Sequence, residues 1–190
     1  MKTSKLLLPI LAVVAVAQIA VPASMLVHHE LTLRHGSPWK FKTAPVDPVD
    51  AFRGRYIALR FEQNHAPVAP GVRIEQGRKA FAILENGPDG FARIAQLSDR
   101  APQDKPYLMV RTTWQDRRSK ETQFELPFDR FFMEEHAAPA AERAYARASG
   151  RNASQTSYAL VRVRNGVGVV ENVYIGDKPI ADYVRGESSK

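Results

Sequence analysis

SYALVRVRNGVGVVENVYI, residues 157–175, alternates apolar and polar side chains on either side of an Asn165-Gly166 pair. A period of two sends successive side chains to opposite faces of a strand, and Asn-Gly supplies the positive φ angles that a two-residue hairpin loop needs. The stretch therefore predicts an antiparallel hairpin. Its pattern recurs upstream. In PWKFKTAP, residues 38–45, Trp39, Phe41 and Thr43 share one face and Lys40 and Lys42 the other. In RYIALRFE, residues 55–62, Ile57, Leu59 and Phe61 oppose Tyr56, Ala58 and Arg60. RKAFAILEN and FARIAQLS flank Gly87-Pro88-Asp89-Gly90, which reads as a second hairpin, because Pro presets the turn and Gly tolerates positive φ. YLMVRTTW (107–114) and ETQFELPF (121–128) flank a polar, charged loop and read as a third.

One segment breaks the alternation. APAAERAYARASG, residues 138–150, places Ala141, Ala144, Tyr145 and Ala148 on one helical stripe, with Pro139 suited to a first turn and Gly150 to a stop. About eight strands and a single short helix imply a mostly β (α+β) class: one antiparallel β-rich domain over residues 38–185, barrel-like or a sandwich, with the helix covering an edge. Residues 65–77 read as its main irregular insertion, and 186–190 as a frayed tail.

The N-terminus differs in kind. LLLPILAVVAVAQIAVPASMLV, residues 6–27, carries no charge. As a helix it spans roughly 33 Å, against about 30 Å of hydrocarbon in a bilayer. Small-residue cleavage sites exist at Ala15-Val16-Ala17 and Val21-Pro22-Ala23, but the apolar run outlasts a secretory signal core, which favours an uncleaved transmembrane signal anchor over residues 1–28. Residues 29–37 then read as a juxtamembrane linker. Lys2 and Lys5 precede the run, so the positive-inside rule exports the rest of the chain, to the periplasm if the cell is a bacterium with two membranes.

Composition excludes several chemistries. The chain has no cysteine, which removes thiol catalysis, disulfides and Cys-ligated metals. Without Lys2 and Lys5 the remainder holds 25 basic and 20 acidic residues, a net charge of +5 that suits an anionic membrane surface or a solvated basic face. Neither nucleic acid nor a nucleotide is expected: basic residues are not interleaved with aromatics, and Gly166-Val167-Gly168 lies in a hairpin rather than between strand and helix. Ser motifs of hydrolases are absent from the sequence. His28, His29, Glu30 and His35 are weighed as metal ligands and read instead as polar residues ending the membrane segment. Glu134, Glu135 and His136 are candidates for acid-base work, against a plainer reading in which carboxylates favour the N-terminus of the following helix. No cofactor and no metal is expected.

PVDPVDAFRGRYIALRF, residues 45–61, carries a resemblance. Gly54-Arg55-Tyr56-Ile57-Ala58-Leu59-Arg60-Phe61 is similar to the pattern Gly-Asp-Tyr-x-x-Leu-x-Tyr that names a family of bacterial membrane-anchored proteins, with Gly54, Tyr56 and Leu59 matching and Phe61 in place of Tyr. The approach through Pro45, Asp47, Pro48, Asp50, Phe52 and Arg53 resembles the family's, as does Arg130-Phe131-Phe132-Met133-Glu134-Glu135 farther on. The resemblance implies a membrane-anchored envelope protein and assigns no activity, ligand or partner. Arg55 stands where the family has an acid, so a catalytic or metal-binding role for that position does not transfer. Pro45, Asp47, Pro48, Asp50, Arg53, Gly54, Tyr56, Leu59 and Phe61 are thus read as a shaped corner feeding a core strand.

The expectation is a single-pass inner-membrane protein whose periplasmic domain is a non-enzymatic interaction or structural module, engaging the membrane and another envelope protein. One alternative is an envelope hydrolase or metal-dependent enzyme using Asp47, Asp50, Glu134, Glu135 and a histidine such as His136. Another is a small-ligand or lipid carrier, which requires an apolar interior cavity of at least about 300 Å³.

Overall fold

The computed structural model describes residues 4–45, 56–115, 121–134, 137–150 and 155–188. Helix α1, Ser4–His35, passes through Gly36 directly into strand β1, Ser37–Ala44. Seven strands come next in the described chain: β2 (Tyr56–Ala58), β3 (Arg60–Phe61), β4 (His65–Pro67), β5 (Lys79–Asn86), β6 (Ala92–Ser98), β7 (Tyr107–Gln115) and β8 (Glu121–Glu125). Strand β9 (Arg130–Phe132) precedes helix α2 (Ala138–Ala148). The chain then forms β10 (Ser157–Arg164), β11 (Val167–Ile175), β12 (Lys178–Pro179) and helix α3 (Ile180–Ser188).

Two five-stranded sheets, ordered β12-β11-β10-β1-β3 and β4-β8-β7-β5-β6, and the pair β2-β9 account for these strands. The second sheet curls until Val68, one residue beyond β4, bridges Leu97 of β6, and the Ala69 N–H donates to the Leu97 carbonyl at 2.8 Å. The two sheets meet where the Met109 N–H donates to the Gly166 carbonyl at 2.8 Å. The result is a nearly closed, barrel-like β-domain. Closure leaves few strand edges to pair with other chains.

The sequence alternation explains what fills it. Ser157, Ala159, Val161 and Val163 of β10 and Trp39, Phe41 and Thr43 of β1 all point inward. The apolar ones among them join Ile57, Leu84, Leu97, Leu108 and Tyr145 in one buried cluster that spans both sheets and α2. Each fully buried side chain of this size contributes roughly 1.5–3 kcal/mol. The turn between β10 and β11 has Asn165 at φ 49° and Gly166 at φ 81°, as the Asn-Gly pair predicts.

Several expectations need correcting. Residues 29–35, read as a linker, are helical, because Thr32 is buried and the Glu30–Arg34 ion pair supports the last turn. Among the described residues the domain holds two helices rather than one. Helix α3 occupies most of what was read as a tail, held by Ile180 and Val184, both buried. RYIALRFE is interrupted at Leu59, so that β2 pairs with β9 whereas β3 pairs with β1. The expected irregular insertion contains β4.

A side chain supplies one missing piece of sheet. Gln63 Nε2 donates to the Ile94 carbonyl at 2.7 Å, and the Ile94 N–H donates to Gln63 Oε1 at 2.8 Å. The amide thus replaces a neighbouring strand at the outer edge of β6. Gln63→Leu is expected to cost about 1–3 kcal/mol, since both backbone groups lose partners. Urea unfolding of the full chain in mild detergent checks this.

Candidate functional site

The family-like strand lies at a seam of the barrel. Tyr56 pairs with Phe132, Ile57 with Phe131 and Ala58 with Arg130, so the two stretches that carry the resemblance are hydrogen-bonded neighbours. Ile57 and Leu59 are buried, and the Leu59 N–H donates to the Asp129 carbonyl at 2.7 Å. Phe61 meets Phe41 at 6.0 Å and Phe128 at 5.3 Å, ring centre to ring centre, edge to face in both cases. The Tyr56 ring packs on Phe132 at 5.6 Å and lies beneath the Arg130 guanidinium at 5.1 Å.

Beside this strand runs an open groove of about 830 Å³ between β3 and β8. Leu59, Phe61 and Phe128 form its apolar floor, and Arg60, Glu62 and Glu125 stand along its rim. Pro45 is exposed at one end. An apolar floor with charged walls suits a polypeptide segment or a polar-headed ligand. Among the described residues no group of three or more His, Asp or Glu is placed to hold a metal ion.

Behind β1 and β3 lies Tyr145 of α2, at 1% exposure. Burial pushes its phenol up to about 12, an effect that the nearby Thr43 side chain and Arg60 backbone offset only in part. Its hydroxyl has no hydrogen-bond partner of good geometry; the Thr43 hydroxyl is paired with Ser157 Oγ at 2.7 Å. An unfolded tyrosine releases its proton near pH 10 while the folded one keeps it to about 12, so stability present below pH 10 is lost as pH rises between the two. The loss is about 2–3 kcal/mol for such a shift. Tyr145→Phe is expected to flatten this alkaline limb with little change near pH 7, measured as unfolding temperature from pH 9 to 12.

Of the residues singled out in the sequence, Pro45, Tyr56, Leu59, Phe61 and Glu134 are described. Asp47, Pro48, Asp50, Arg53, Gly54, Glu135 and His136 lie outside the described residues, as does Arg55. Glu134 is exposed and contributes through its backbone: its carbonyl accepts the N–H groups of Ala137 and Ala138 at 3.1 and 3.0 Å. Helix α2 has no acidic residue in its first turn, and this carbonyl takes up two of its free N–H groups. His28 Nδ1 donates to the Ser24 carbonyl at 2.7 Å, an arrangement internal to α1. Gln63 carries no sequence signal for its role, since its side chain imitates a strand, whereas Phe128 ends the alternation Thr122, Phe124, Leu126, Phe128.

An apolar helix long enough to cross a membrane leads without a loop into a nearly closed β-domain, which defines a class of β-rich domains carried on an N-terminal apolar helix. The chain belongs to the GDYXXLXY protein family, whose sequence model matches residues 18–173. No curated protein and no solved structure matches it.

Proposed function

We propose that this protein is a single-pass anchor whose β-domain lies on the periplasmic face of a bacterial inner membrane and acts there as a non-enzymatic interaction module of the envelope. The observation that carries the reading is α1: an exposed helix whose apolar stretch is long enough to cross a membrane and has no part buried against the domain. A soluble domain gains nothing from such a surface, whereas a bilayer covers it. Lys2 and Lys5 at its short end support export of the domain. The groove between β3 and β8 is the surface offered to a partner, because it runs along the strand by which the family is recognised.

The test is recovery of the full chain from bacterial membranes after gentle detergent extraction, alongside Glu125→Arg in the groove wall. A specific envelope protein retained by the native chain and lost with the variant supports the reading. Repeated recovery of the chain alone overturns it. Protease digestion of the domain in spheroplasts but not in intact cells is the expected sign of its orientation. The enzyme reading has no observation of its own among the described residues, and the carrier reading meets a packed cluster where its cavity would lie.

A further inference from the structure

The domain is not strung from α1 by its end alone. Arg162 of β10 reaches the Gly36 carbonyl at 3.3 Å, and its guanidinium is gripped by both carboxylate oxygens of Glu171, at 2.5 and 3.3 Å. Glu171 is the extra residue of a bulge, since the β10–β11 register shifts between Leu160↔Asn172 and Val161↔Val170. Buried Thr32 completes the junction, its carbonyl accepting the Gly36 N–H at 2.8 Å. A helix fastened in this way sets the height of the barrel above the membrane.

That height is low. A second groove, about 750 Å³, separates α1 from the barrel wall and is lined by Met25, His28 and His29 on one side and Phe132, Val167 and Val170 on the other. Met25 belongs to the last turn of the uncharged run that ends at Val27. If that run fills the hydrocarbon, about 30 Å thick, Met25 lies at its outer boundary, and the groove lies at the same level. Phe132 is 68% exposed there, an unusual setting for a large apolar ring. A lone exposed ring on a soluble face needs no explanation, but one at the level of a membrane interface has a ready neighbour, because aromatic side chains collect where headgroups meet acyl chains.

We propose that the β9 corner is a second membrane contact: Phe132 enters the boundary between headgroups and acyl chains, with Arg130 beside it at the level of the phosphates, so that the barrel lies against the bilayer. The inference rests on the reading of α1 as a membrane anchor. Arg130, close to Asp129 at 3.4 Å and stacked over Tyr56, is exposed enough to meet an anionic headgroup. The binding mode is that of a monotopic foot added to a spanning helix.

The natural absence of cysteine makes the test direct. Single-cysteine full-length chains, Phe132→Cys, Val14→Cys and Lys178→Cys, are labelled with an environment-sensitive fluorophore. Each is reconstituted in nanodiscs of phosphatidylethanolamine and phosphatidylglycerol, with and without spin-labelled lipid as quencher. Position 14 lies within α1 and position 178 in β12, paired with Ile175 at the end of β11. The expected result is strong quenching at 14, severalfold stronger quenching at 132 than at 178, and blue-shifted emission at 132. Quenching at 14 with a label at 132 as wet and unquenched as that at 178 overturns the second contact and leaves the anchor standing. No quenching at 14 overturns both. Phe132 is exposed, so its replacement leaves the fold intact, and circular dichroism of the labelled chain verifies this.

Discussion

Phe41→Ala is expected to lower the unfolding free energy by about 3–5 kcal/mol, the usual cost of removing a buried aromatic ring. In a domain of this size that corresponds to a fall of roughly 10 °C in the unfolding midpoint. Phe41 is 5% exposed on β1, and its ring meets Phe61 at 6.0 Å and Phe128 at 5.5 Å. Those two meet each other at 5.3 Å, nearly perpendicular. The triangle joins the first strand after α1, the family's own strand and the segment leading to β9. Removing one ring leaves a cavity that two others cannot close, because each is already held against its neighbours. Phe132→Ala supplies the contrast: its ring is exposed, and in detergent its loss is expected to cost no more than about 0.5 kcal/mol. Thermal unfolding of both variants decides the matter, and similar midpoints for the two would show that the triangle does not hold the barrel together.

How much of this was legible depends on what carries each feature. Alternation in β1 and β10 was readable because each strand has one buried face, so the inward residues must be apolar or small. The β10–β11 turn was readable because only a few residues tolerate its φ angles. Helix α3 was not, because IADYVRGES has weak local helix propensity, with a Gly and a β-branched Val, and it forms through the docking of Ile180 and Val184. The end of α1 was hidden for a different reason: hydropathy stops at Val27, while the helix continues on the strength of an ion pair and buried Thr32. Pairing of β2 with β9 is a contact between distant segments, and nothing in either short strand names its partner. The candidate site was legible in part. Ile57 and Leu59 are buried as the alternation of their run requires, whereas the groove beside them lies between β3, at the edge of one sheet, and β8, already flanked by β4 and β7 in the other, an arrangement that no single stretch encodes.

Gly168→Val offers the sharpest opposition between local and tertiary forces. Gly168 lies within β11, opposite Val163, where strand propensity favours a β-branched residue by up to about 1 kcal/mol. By propensity alone the substitution stabilises. The packing says otherwise: a Cβ at this position would lie 2.5 Å from Phe128 Cε1 and 2.8 Å from both Phe128 Cδ1 and Leu108 Cδ2. Leu108 is fully buried and Phe128 is wedged between Phe41 and Phe61, so neither can withdraw without disturbing the aromatic triangle. Overpacking of this kind costs about 1–3 kcal/mol, and valine, with two further methyl groups, is expected at or above the upper end. Gly168→Ala should fall between the two. Combining it with Phe128→Leu is expected to be less damaging than the sum of the separate losses, by about 0.5–3 kcal/mol, because the smaller side chain vacates the space that the new methyl needs. Urea unfolding of the four chains measures the coupling. Strict additivity would mean that Phe128 is not the obstacle, and a stabilised Gly168→Val would mean that β11 can move away from the core at this point.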